Sequence, residues 1–245
     1  MKPATIILTT LLLVAFATPG HAYRLPAYRM SAEEQSAPAE VSLKKYRSKI
    51  EEIRKLAPIG VVENRRRNYK AKLSRKARKM VRNFTQLKYA ASFWEYAFDL
   101  KAKLKSLHGD PDDADIGAEA DALAKAIVQK LYDISQEYRV SVSAIINNVL
   151  INSGAKKKGF CYHYVEDLMR VLRGHRWRFF DMHWGEAWPE TFRENNALII
   201  TAKDAPFETG LAVDAWRSAG KPFWSKVQGD RFPWTEAFDV EIEDQ

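Results

Sequence analysis

Gly159-Phe160-Cys161-Tyr162-His163-Tyr164-Val165-Glu166-Asp167-Leu168-Met169 decides how this chain is read. A Gly-rich turn, Ser153 to Gly159, leads into it, and its apolar residues then recur at helical spacing until Gly174. The stretch therefore predicts a helix that opens at Cys161, the only cysteine in 245 residues. A cysteine at a first helical turn meets unpaired N–H groups and the positive end of the helix dipole, which lower a thiol pKa. Lys156, Lys157 and Lys158 add to that expectation. Three readings follow for Cys161: a buried inert side chain, one half of an intermolecular disulfide, or a reactive thiol.

Downstream the period changes from helical to alternating. Trp177 to Trp184, Asn196 to Ala202 and Gly210 to Trp216 read as three strands, the last two joined by Asp204-Ala205-Pro206-Phe207-Glu208-Thr209-Gly210. Trp224, Phe232, Trp234 and Phe238 in the tail read as lids over the sheet. Upstream, Ile116 to about Ser153 reads as helix. Leu107 to Asp115 breaks the pattern with Gly109, Pro111 and four acids, and Asp115 is the expected cap of the helix that follows. The fold class is therefore α+β.

Ser42 to Leu107 is helical in pattern and strongly basic. Between Lys44 and Lys88 stand seventeen Lys and Arg against Glu51, Glu52 and Glu63, a formal +14, so the remainder carries −6 of the chain's +8. Arg65, Arg66, Arg67, Lys70, Arg75 and Lys79 form its densest part. They are read either as a solvated helix face or as a dock for anionic lipid or polymer; such attraction reads charge, so no specific nucleic acid is expected. Tyr23 to Val41 lacks periodicity and reads as a flexible lead.

The first 22 residues have the form of an export signal: Lys2, an apolar run from Thr5 to Ala17, and small residues at Gly20 and Ala22. Cleavage after Ala22 is expected, giving a periplasmic or secreted protein with no transmembrane span. Five scattered His and one Cys offer no metal-ligand spacing, and neither a phosphate-cradling Gly loop nor a Gly-x-Ser-x-Gly elbow is present. No cofactor is expected. The organisation expected is a signal peptide at 1–22, a lead at 23–41, a basic helical region at 42–110 and a second domain at 116–245.

A Cys that opens a helix, followed by three strands with a carboxylate on the third, resembles the transglutaminase-like branch of the papain-type cysteine enzymes. The segments Lys158 to Tyr164, Asp214-Ala215-Trp216-Arg217-Ser218-Ala219-Gly220 and Gly229-Asp230-Arg231-Phe232-Pro233-Trp234 are similar to those of an exported bacterial group of that branch. The resemblance covers about Ile145 to Trp234. It implies a core of helices on a small antiparallel sheet, with Cys161 as nucleophile and Asp214 as the orienting carboxylate. It also implies a His at the start of the second strand, where this chain reads Glu194-Asn195-Asn196-Ala197. Asn195 thus fills the general-base slot, and an amide cannot take a proton from a thiol.

Three functions stay open on this basis. One is an inactive relative that keeps a cleft for a peptide or amide-bearing ligand of the cell envelope. Another is a working hydrolase or acyltransferase that pairs Cys161 with His183. The last is a docking protein acting through its basic helices.

Overall fold

The computed structural model describes residues 25–56, 75–139 and 143–238. The leader at 1–22 and Arg65, Arg66, Arg67 and Lys70 lie outside the described residues, as do the side chains of Arg75 and Lys79. The fold is α+β. Among the described residues six helices come first: α1 (Ala32–Ser36), α2 (Ala39–Leu56), α3 (Arg75–Lys105), α4 (Ala114–Glu137), α5 (Ala144–Asn152) and α6 (Cys161–Arg173). Five strands follow: β1 (Phe180–Ala187), β2 (Asn195–Ala202), β3 (Leu211–Val213), β4 (Trp224–Lys226) and β5 (Thr235–Ala237). They form one antiparallel sheet in the order β4-β3-β2-β1-β5.

Strand alternation sorts the sheet into two faces. Trp184, Leu198, Ile200, Leu211 and Val213 face the helices and share one buried cluster with Phe93, Trp94, Leu123, Ile127, Tyr164 and Leu168. Ala187, Ala197, Ile199 and Ala212 face the other way and pack under Phe207, Val227 and Trp234. The first cluster also takes in Leu25 and Leu43, so a single core runs across the join at 111–115.

Three sequence expectations are corrected here. Residues 25–38 are no flexible lead: Leu25 is fully buried and donates its N–H to Ser135 Oγ at 2.9 Å. Met30 N–H bonds Gln129 Oε1 at 3.2 Å, and Gln129 Nε2 returns a bond to the Tyr28 carbonyl at 3.0 Å. Leu25, with Tyr28 and Met30 packed beside it on the core, and a row of backbone bonds tie the segment along α4. The cap of α4 is Asp113, whose Oδ1 accepts from the N–H groups of Asp115 and Ile116 at 2.8 and 2.9 Å. Asp115 sits inside the helix. Phe238, expected as a lid, is largely exposed, whereas Trp234 is buried.

Candidate functional site

The turn before α6 is held in a backbone conformation that only glycine tolerates well. Gly159 has φ 132°, and a Cβ there would stand 2.3 Å from Asn147 Nδ2. Asn147, buried on α5, donates to the Gly159 carbonyl at 2.9 Å and accepts from Lys156 Nζ at 2.6 Å. His163 completes the helix start. Its Nδ1 accepts from the N–H groups of Gly159 and Phe160, both at 3.1 Å, so the ring is neutral with its proton on Nε2. Burial, then the nearby Lys158 charge, push His163 down and favour that form.

Cys161 therefore opens α6, but its thiol is not activated. It is 6% exposed, and burial pushes it up. The Asn196 side-chain and backbone N–H groups and the Tyr162 N–H pull the other way and are outweighed. The expected lowering is thus corrected: desolvation exceeds the helix-start effect. Lys156 is drawn to the Arg139 carbonyl and Asn147, and Lys158 to Asp167, so neither cation turns to the sulfur.

The sulfur's closest side-chain partner is an amide. Asn196 Nδ2 lies 3.5 Å from Sγ and 3.0 Å from Glu194 Oε1, while Asn196 Oδ1 accepts from Trp184 Nε1 at 2.6 Å. The Glu194 carbonyl lies 4.0 Å from Sγ. Asn195, the next residue along β2, is fully buried and donates through Nδ2 to Asp214 Oδ2 at 2.6 Å. Its Oδ1 has no hydrogen-bond partner among the described residues. The amide thus meets the carboxylate and offers no proton acceptor comparable to an imidazole.

Asp214 is itself held from below. Burial pushes its carboxyl up, against the pull of Arg217, whose Nε lies 2.6 Å from Asp214 Oδ2. Arg217 also grips Asp230 with both terminal nitrogens, at 2.9 and 2.8 Å. Asp230 accepts further from Ser225 Oγ at 2.5 Å and Trp234 Nε1 at 3.1 Å. Phe223 and Phe232 cover the guanidinium at 4.7 and 4.4 Å.

His183 does not join this group. Its Nδ1 meets Glu236 Oε1 at 2.5 Å and its Nε2 meets Thr201 Oγ1 at 2.9 Å. Thr201 lies six residues beyond Asn195 on β2, about 20 Å at ~3.3 Å per residue. The pairing of Cys161 with His183 is therefore corrected: the sheet carries His183 away from the thiol. Of the four residues singled out from sequence, the fold brings together Asn195 and Asp214, with Cys161 alongside through Asn196. Sequence reasoning missed Asn196, Arg217 and Asp230. The signal for the last two was present, since both stand in the segments that carry the family resemblance.

Among the described residues no group of three His, Cys, Asp or Glu could hold a metal ion, and no helix is long and apolar enough to cross a membrane. No family model matches the chain, and no curated protein or solved structure matches it.

Proposed function

We propose that this chain is an exported, transglutaminase-like protein whose triad has lost its proton shuttle and which binds a peptide or amide-bearing ligand without turning it over. The observation that carries this reading is the 2.6 Å bond from Asn195 Nδ2 to Asp214 Oδ2 beside a buried thiol whose own partner is another amide. In a working trio an imidazole would bridge carboxylate and sulfur, taking the thiol proton and later protonating the leaving group. Asn195 keeps the carboxylate half of that bridge and cannot supply the other. Docking at an anionic surface through Arg65, Arg66, Arg67, Lys70, Arg75 and Lys79 belongs to the same proposal.

Restoring the imidazole is the direct test. Asn195→His should place a base between Asp214 and Cys161 and raise the rate of iodoacetamide labelling near pH 6 by about tenfold or more over the parent chain. A folded Asn195→His variant that labels no faster would remove the degenerate-triad reading, as would rapid labelling of the parent chain at that pH.

A further inference from the structure

Helix α5 is packed inside out. Its sequence, Ala144-Ile145-Ile146-Asn147-Asn148-Val149-Leu150-Ile151-Asn152, is mostly apolar, yet its one buried residue is Asn147. None of its apolar residues belongs to the buried clusters or packs against them. Polar contacts hold the helix instead: the Asn147 bonds to Gly159 and Lys156, and Asn148 Oδ1, which accepts from Trp216 Nε1 at 3.4 Å. Ile145 is 73% exposed and Val149 40%, one turn apart on the same face, with half-buried Ile146 and Leu150 on the adjoining one. Single exposed apolar residues are ordinary, but a helix face of them outside every core cluster marks a contact surface. The charge around this helix has one sign. From Tyr138 to Val165 the sequence holds Arg139, Lys156, Lys157 and Lys158 and no acid. Lys158 pairs with Asp167, and the Lys156 ammonium donates to the Arg139 carbonyl and Asn147. Arg139 and Lys157 are exposed and make no ion pair among the described residues.

We propose that the Ile145–Val149 face of α5 docks on an anionic lipid bilayer, its apolar side chains entering the headgroup boundary while Arg139 and Lys157 meet the lipid phosphates. Nine residues cannot span a bilayer, which takes about 20, so the helix lies along the surface. Charge selects this occupant. A second copy of the chain would bring the same cations against one another, and an uncharged apolar partner would leave them unanswered. An anionic bilayer offers an apolar layer and negative phosphate oxygens at adjoining depths, which is what this face presents groups for. The face uses no residue of the basic region between Lys44 and Lys88, so the inference stands apart from docking through that region and from the reading of the thiol.

A dye placed on the face tests it. The full chain carrying Cys161→Ser and Ile145→Cys, labelled with an environment-sensitive nitrobenzoxadiazole, reads this face alone, whatever else in the chain holds the vesicle. Vesicles of phosphatidylglycerol and phosphatidylcholine should shift the emission to the blue and raise it about twofold or more, and vesicles of phosphatidylcholine alone should not. Val149→Asp should weaken binding to the anionic vesicles about tenfold and Lys157→Gln about fivefold. Co-sedimentation of the unlabelled parent chain and its Val149→Asp variant gives the same comparison free of the dye. Replacing Arg65, Arg66 and Arg67 with Gln should leave the final emission at saturating lipid unchanged, which separates this face from the basic region. The proposal is overturned by no emission change with the anionic vesicles, by an equal response to phosphatidylcholine alone, or by parental binding in Val149→Asp. Loss of the final emission in the Arg-to-Gln variant overturns it too. So does an emission change that follows protein concentration without lipid, which would assign the face to a second copy.

Discussion

Two buried carboxylate networks in this molecule solve opposite charge problems. Around Asp214, one cation serves two acids: Arg217 binds Asp214 and Asp230, and neutral donors from Ser225 and Trp234 make up the deficit. Around Asp167, three cations serve one acid. The two aspartates are equally hidden, each 2% exposed, yet their carboxyls shift in opposite directions. Burial pushes Asp214 up. It works the same way on Asp167, but Lys130, the Tyr138 hydroxyl and Lys158 outweigh it and hold Asp167 below the usual range. Depth alone therefore does not set the state of a buried acid; the number of donors facing it does. The first network is closed and fixes Asp214 where Asn195 meets it. The second gathers cations from α4, the turn before α6 and α6 itself onto one carboxylate.

The largest expected effect lies in the closed network. Arg217→Met leaves two buried carboxylates without the one cation that pairs with them among the described residues and should cost about 3–5 kcal/mol in urea unfolding. A loss below about 1 kcal/mol would break the contrast. Asp167→Asn should cost about 2 kcal/mol near neutral pH, because charged hydrogen bonds are lost and the cations face one another. The pH dependence sharpens this. Asp167 has a depressed folded pKa, so its contribution is full above the unfolded value of about 3.9 and disappears as pH falls through the folded value. The parent chain should lose that part of its stability below about pH 4, and Asp167→Asn should not. Asp214 has the opposite sign, since a raised folded pKa makes its contribution grow as pH falls. The smallest effect belongs to Lys158→Gln, where two cations and a phenol remain on Asp167 and the removed group is partly exposed. Its cost should be no more than about 1 kcal/mol.

Much of the fold was legible because the relevant segments carry their own period. Helix α6 starts at Cys161 and stops before Gly174, and β2 occupies Asn195–Ala202, within one residue of the alternating run. The first strand begins at Phe180 and not at Trp177. The Arg178 and Phe179 N–H groups go to Glu119, and Trp177 Nε1 goes to the Leu172 carbonyl. Strands β4 and β5 have three residues each, too few for alternation to register. The site was legible as types and not as contacts. Asn195 against Asp214 could be read from strand order, but the approach of Asn196 to sulfur depends on how α6 sits over β2. The segment from Leu25 gave no signal because its core-facing residues, Leu25, Tyr28 and Met30, are spaced by three and then two and match no single period.

That segment also bears on how the chain folds. The bond from Leu25 to Ser135 joins groups 110 positions apart, and those from Met30 and Tyr28 to Gln129 span nearly as many. Closing so wide a loop is unfavourable until both ends have somewhere rigid to land. The earliest described residues to be synthesised are therefore among the last to settle, waiting on α4 before they can seal the helical layer.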